Sequence, residues 1–251
     1  IYIASMFLLL LVLGLGVESR GAVRWFEIFG FRIQFSELIK PFLAISLSSF
    51  LVKNENYSFK LFLLATCFML LIAFLIFLQP DLGNAVIYVI VTVLTLIFFG
   101  FPLRFFFVSL VFYIVSLPIV WNFLHQYQRQ RVLSFFHPTS PLGFSYNAIQ
   151  SSIAIGAGML AGRGFGQGTQ SGLKFLPERH TDFIFATLAE ELGFIGATIL
   201  VVMFMVLVWR GFAIASAASD RFGKLLAGAI TSFSINIYII PVILADSAFR
   251  V

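Results

Sequence analysis

Long uninterrupted runs of apolar side chains dominate this chain, at roughly 1–17, 36–52, 59–78, 84–103, 105–124, 183–209 and 224–245. Most approach the roughly 20 residues that a helix needs to cross a bilayer core. The runs are continuous rather than alternating, which argues against membrane-spanning strands. A core formed in water could not absorb them, because 60% of the residues are hydrophobic and only 11% are charged. A soluble domain carries about 25% charged residues. Phe alone contributes 33 residues, expected on lipid-facing helix surfaces. The pattern predicts an all-α polytopic membrane protein with about seven transmembrane helices.

The breaks between runs are polar or carry Pro and Gly: KNENYS at 53–58, QPDLG at 79–83 and GFPLR at 100–104. One connection, 125–182, is long, mostly polar and Gly-rich. Within it, 146–160 is a semi-apolar stretch too short to span, expected as an interfacial or re-entrant helix. Alternating crossings put the loops 18–35, 79–83 and 125–182 on one face. The loops 53–58, 101–104 and 210–223 fall on the other, with Lys53, Lys60, Arg104, Arg210, Arg221 and Lys224 near them. The short loops of the first face carry Arg20, Arg24 and Arg32, so the positive-inside rule places the second face in the cytoplasm. The long connection then lies outside. The net charge of +5 sits between the apolar runs, which fits orientation and anionic lipid contact rather than nucleic acid. Cys67 lies alone inside an apolar run, so no disulfide framework or metal knuckle can be built on it. The chain opens inside an apolar run without an initiator Met or basic leader, and is expected to be a piece of a longer protein.

Four stretches could carry chemistry. In the first, residues 21–40, Arg24, Trp25, Arg32 and Gln34 precede a crossing, and Glu37 and Lys40 lie just inside it. Three residues apart, Glu37 and Lys40 share a helix face and can neutralise each other. The bland alternative is a dipole-stabilised Glu beside a snorkelling Lys. In the second, QPDLGN at 79–84, Asp81 is expected chiefly to cap the next helix. The third, 125–150, gathers Arg129 and Arg131 among amide side chains, which suits diphosphate or sugar recognition and equally suits lipid headgroups. His125, His137 and His180 do not have zinc-motif spacing.

The fourth stretch, 162–193, is the most specific. A Gly-rich loop runs into Pro177, Glu178, Arg179, His180, Thr181 and Asp182, and an apolar helix carrying Glu190 and Glu191 follows. A carboxylate at such an entrance has a raised proton affinity unless a cation answers it, which suits a general base. Plain N-capping by Thr181 or Asp182 is the competing reading. Glu190 and Glu191 must face protein or water, and at least one is expected to bond a neighbouring helix. Gly162, Gly164 and Gly166 follow no strand, so they are not a nucleotide-binding turn.

HQYQRQRV, PLGFSYNAIQSSIAIGAG, GRGFGQGTQSGLKFLPERHTDFIFA and AEELGFIG together resemble the shape, elongation, division and sporulation family. GAVRW, SELIK and QPDLG match further family motifs in order. The wording around LPERHTDFIF is closer to the RodA branch than to the FtsW branch. The resemblance runs from residue 18 to about residue 212, and implies a fold of about ten transmembrane helices, of which this chain holds the middle ones. It implies a peptidoglycan glycosyltransferase that polymerises lipid II, multi-pass in the bacterial inner membrane, with a class B penicillin-binding transpeptidase as partner. Asp182 then corresponds to the family's essential acid. Arg24, Glu37, Lys40, Arg129, Arg131, Glu178 and His180 are candidate substrate-binding residues. The reaction inverts the anomeric carbon, so one base and cations that offset charge on the departing diphosphate suffice. A divalent cation could assist, though no ligand set for one is written in the sequence.

The chain departs from the family pattern at Phe35, where Pro is usual, and after Asn236, where it reads IYIIPVILADSAFRV. Two other classes compete with the polymerase: a flippase for lipid-linked precursors and a non-catalytic scaffold for a transpeptidase.

Overall fold

The structure, a computed structural model, describes residues 1–19, 22–28, 31–54, 57–124, 126, 128–130, 133, 146–168 and 183–246. Each apolar run forms a helix: α1 (Tyr2–Leu15), then α3 (Lys40–Val52) after the single-turn α2 (Phe35–Leu38). The series continues through α4 (Phe59–Leu78), α5 (Leu82–Phe99) and α6 (Leu103–Phe123). The semi-apolar stretch forms the short helix α7 (Tyr146–Ala157), and α8 (Ile184–Ala217) and α9 (Arg221–Asp246) complete the order. Among the described residues, α4, α5, α6 and α8 are long and apolar enough to cross a membrane, while α1 and α3 are shorter apolar helices.

The Pro and Gly breaks act where the sequence places them. Ser58 caps α4 by accepting from the Leu61 amide at 3.2 Å, and Asp81 caps α5 by accepting from the Asn84 amide at 3.3 Å. α5 ends at Gly100, whose amide donates to Ile97 while the Phe101 amide reaches back to Leu96, satisfying carbonyls that the helix end leaves open.

The stretch 18–35, expected as a loop, carries a small antiparallel meander. Strands β1 (Val17–Ser19), β2 (Ala22–Ile28) and β3 (Phe31–Ile33) lie in that order. The pairs Ser19↔Ala22 and Ile28↔Phe31 leave two intervening residues each. In sequence these are Arg20-Gly21 and Phe29-Gly30, and a Gly in second place is a hairpin signal. Val23, Trp25, Phe26 and Ile28 supply the β-favouring residues between them.

The chain forms two compact units, Ile1–Phe123 with Arg210–Ser234, and Leu124–Trp209 with Ile235–Val251. In the first, α4 packs along α5 around Phe62, Ala65, Met69, Ile72, Ile76, Tyr88, Val91 and Leu96. Polar ties cross this apolar interior: Gln79 Nε2 donates to the Leu9 carbonyl at 2.8 Å, and the Tyr2 hydroxyl to the Phe68 carbonyl at 2.5 Å. Several hydroxyls within the helices bond back one turn, as Thr92 does to Tyr88 and Ser232 to Gly228, and these need no partner from lipid.

The phenylalanines divide between two roles. Phe107, Phe112 and Phe123 face outward as expected, but Phe62, Phe99, Phe101 and Phe105 are buried together. Their rings meet at an edge or a tilt, 4.9–6.4 Å between centroids. Such pairs add about 0.5–1.5 kcal/mol each beyond the buried area. Arg104 and Arg221 lie over the Phe105 and Phe99 rings at 5.3 and 5.1 Å, so two cations of the face assigned to the cytoplasm are held on this cluster.

In the second unit Ala154 of α7 packs on Ala186 of α8, with Ile155 and Phe183 around them. α8 is not one continuous helix, because Gly193 adopts φ 66°, ψ −168° and breaks it. A helix break opens carbonyls before it and amides after it. The glycine-rich loop closes both sets. The Arg163 and Gly164 amides donate to the Glu190 and Glu191 carbonyls at 3.0 and 3.1 Å. The Phe194 and Ile195 amides donate to the Met159 and Leu160 carbonyls at 2.8 and 3.1 Å. Such close approach needs glycine: Gly162 has φ 82°, and a Cβ there would strike the Glu191 backbone.

Candidate functional site

Three charged side chains of the first unit, Glu37, Lys40 and Asp81, lie where α2 meets the start of α5. α2 is four residues long and cannot hold itself as an isolated helix. It begins at Gln34, whose carbonyl accepts from the Glu37 and Leu38 amides at 3.1 and 3.3 Å. It gives way to α3 at Ile39, and Pro41 brings no N–H to continue the ladder.

Glu37 and Lys40 flank that junction and form an ion pair at 2.6 Å, with side chains 46% and 7% exposed respectively. The shared face expected from their spacing is therefore real. Lys40 does not snorkel; its ammonium is inside. A buried ammonium without a carboxylate is costly, and Glu37 supplies that carboxylate. The open side of the pair is the carboxylate.

Behind the pair lies a polar network of which the sequence announces only Asp81. Asp81 Oδ2 accepts from Gln34 Nε2 at 2.8 Å and from Asn84 Nδ2 at 3.0 Å, while Oδ1 caps α5. The Tyr88 hydroxyl donates to the Ser36 carbonyl at 2.6 Å, and Asn84 Nδ2 lies 3.5 Å from Ser36 Oγ. Ser36, Asp81, Asn84 and Tyr88 are all buried. Asp81 is thus the expected cap and also a cross-link. Ser36, Asn84 and Tyr88 were not anticipated. Their signal was present: 81, 84 and 88 recur at helical spacing, forming one polar stripe on an otherwise apolar helix.

Arg24 lies on β2, and Arg129 is half-buried in the second unit. Arg131, Glu178, His180 and Asp182 lie outside the described residues. Glu190 is fully buried. Of the two acids, Glu191 accepts through Oε1 from the Gly166 amide at 3.1 Å and holds the glycine loop. The glycines of 162–166 belong to that docking. Among the described residues no three His, Cys, Asp or Glu side chains converge as a metal-binding group.

A buried lysine paired with a half-open carboxylate, at a helix junction in an apolar setting, can recognise a charged and hydroxylated ligand. The cation offsets anionic charge, and the carboxylate accepts hydroxyl protons or hydrogen bonds.

The family described as cell cycle protein, FTSW_RODA_SPOVE, matches residues 1–247 of this sequence. The chain is 41% identical over 240 residues to the peptidoglycan glycosyltransferase MrdB of Escherichia coli K12, across 92% of this chain and 63% of that protein. It is 38% identical over 234 residues to the probable peptidoglycan glycosyltransferase FtsW of Trichlorobacter lovleyi, across 89% and 60%. The chain thus spans less than two thirds of the length of these relatives. Among solved structures, a chain described under structural coordination of polymerization and crosslinking by a peptidoglycan synthase complex superposes with a TM-score of 0.73 at 32% identity, covering 96% of this chain and 69% of that one. The rod shape determining protein RodA of Thermus thermophilus superposes with a TM-score of 0.59 at 26% identity, covering 92% and 60%.

Proposed function

This chain belongs to the FtsW/RodA/SpoVE family of cell cycle proteins, and from that premise we propose that it acts as a peptidoglycan glycosyltransferase polymerising lipid II. The observation that carries the reading is the 41% identity to a peptidoglycan glycosyltransferase over 92% of this chain. The likeness to a chain of a peptidoglycan synthase complex supports a class B penicillin-binding transpeptidase as partner. The apolar helices and the relatives support a multi-pass place in the bacterial inner membrane, serving cell elongation, shape or division. On this reading residues 1–251 are one transmembrane domain, and 125–182 are its extracytoplasmic loop.

The chemistry follows from the residues assigned. Asp182 takes the proton of the acceptor 4-hydroxyl as that oxygen bonds to the anomeric carbon of the donor sugar. The bond from that carbon to the diphosphate breaks, and its electrons leave with the diphosphate. Arg24, Lys40, Arg129 and Arg131 offset the charge on it, while Glu37, Glu178 and His180 bind sugar hydroxyls. A divalent cation would add positive charge at the diphosphate, and no step here depends on one.

The test is polymerisation of lipid II by the purified full-length protein with its transpeptidase partner. Asp182→Ala should lower the rate by at least about a hundredfold, the usual contribution of a positioned base, with lipid II still bound. Polymer formed at the original rate by that variant would remove Asp182 from the chemistry. Translocation of lipid II across vesicles without any polymer from the unaltered protein would favour a flippase instead.

A further inference from the structure

We propose that Asp81, Asn84 and Tyr88 form a positioning stripe on α5 that sets the orientation of the Glu37–Lys40 pair; the inference rests on the polymerase reading for its catalytic consequence. The three residues recur at i, i+3 and i+7, so they line one face of α5. Each reaches α2. Asp81 holds the Gln34 side chain at 2.8 Å, Asn84 Nδ2 lies 3.5 Å from Ser36 Oγ, and Tyr88 holds the Ser36 carbonyl at 2.6 Å.

α2 depends on these tethers. It is one turn long, it starts on a residue whose side chain is tied to Asp81, and Pro41 loosens its link to α3. Glu37 is the residue after Ser36, and Lys40 opens the next helix, so a shift of α2 moves the pair directly. Water would compete for such bonds at an exposed site. Here Tyr88 is 0% exposed and Ser36 2%, so the bonds keep their strength and their direction.

Asp81 acts through acceptor geometry. Oδ2 accepts two amide donors at once, while Oδ1 keeps the helix cap. This makes the residue a positioning group rather than a catalytic one. It also yields an exchange that preserves the link with donor and acceptor reversed: Asp81→Asn with Gln34→Glu. Asn remains a good helix cap, the carboxylate introduced at position 34 accepts from the amide introduced at position 81, and Asn84 keeps its link by turning its own amide so that its oxygen accepts from the same group.

The test uses the full-length protein with lipid II and two readouts. Asp81→Ala should reduce kcat/KM about tenfold or more, as expected for lost hydrogen bonds to a charged acceptor. The exchange double variant should recover to within about threefold of the unaltered protein. Tyr88→Phe, which removes a single hydroxyl and leaves the packing intact, should show a smaller loss of about threefold. The second readout is acylation of Lys40 by a water-soluble amine reagent, followed by mass spectrometry. Lys40 should be protected in the unaltered protein and in the exchange variant, and modified faster in Asp81→Ala and Tyr88→Phe. Unchanged Lys40 protection in both single variants would overturn the positioning role, whatever the activity. So would failure of the exchange to restore protection. An unaltered protein that makes no polymer, with the labelling pattern as expected, would overturn the polymerase reading and leave the stripe standing.

Discussion

Lys40 shows how one buried charge constrains its neighbours. Its side chain is 7% exposed, and Glu37 is the partner that neutralises it. Removing one member of a buried pair is costly because the other is left uncompensated, whereas replacing both is often close to neutral. Glu37→Gln should therefore destabilise the folded protein by about 1–3 kcal/mol, between the exposed and buried limits because the carboxylate side is open to solvent. Glu37→Gln with Lys40→Met should recover most of that loss. Thermal unfolding of the detergent-solubilised protein distinguishes the two variants. The pair itself was readable in the sequence from its three-residue spacing. The burial of Lys40 was not, because a Lys near the start of an apolar run is compatible with a side chain that climbs out to the interface. Only the packing of α2 and α3 decides between the two.

At the scale of elements, the break in α8 and the loop that closes it are one structure. Gly162 and Gly193 both hold positive φ where a Cβ would meet backbone of the opposite segment. Gly162→Ala combines that collision with the cost of a left-handed backbone, about 1–2 kcal/mol from the conformation alone. It should lower the unfolding temperature markedly. Glu191→Gln keeps an oxygen for the Gly166 amide and should cost less than Glu191→Ala; the same melting experiment ranks the three. The sequence offered the glycines and the two glutamates but not their relation, since a Gly-rich run reads equally well as a flexible loop. The meander at 17–33 was missed for a related reason. Its strands are short and lack clean alternation, so only the two X-Gly pairs announced it. The long helices, by contrast, were legible to within a few residues at most ends, because lipid forces the backbone to satisfy itself within each segment. α8 runs on to Ala217, through part of the stretch 210–223 expected as a loop, since that stretch opens with residues that continue a helix.

For the molecule as a whole, the exposure of α6 and α8 separates this chain from any protein built in water. Only 6% of their most apolar windows is buried. Val111, outward in the middle of α6, should not tolerate Asp, which costs about 2.5–3.5 kcal/mol at the centre of a membrane helix, and membrane-inserted yield measures it. The topology makes a sharper demand. With Cys67 replaced by Ser, a thiol introduced at Gln167 should be labelled from outside intact cells by an impermeant reagent, and one introduced at Lys53 should not. The reverse pattern would invert the assigned orientation. Much of this architecture was evident from the apolar runs alone, and the family match reaches residue 247, further than the motifs did. What stayed hidden is the tertiary pairing of distant polar residues such as Gln34 with Asp81, which no local pattern encodes. The broken α8 has one more consequence, for biogenesis. Phe194–Ala217 alone is roughly 36 Å long, enough to cross the bilayer without the nine residues before the break. The emerging chain can therefore commit that span to the membrane first. Ile184–Leu192 is left to be seated afterwards by residues 159–164, which are synthesised earlier and bond the backbone on both sides of the break. Insertion and completion of this unit are separable steps, and a lesion in the glycine loop should yield a protein that is threaded correctly yet unfinished.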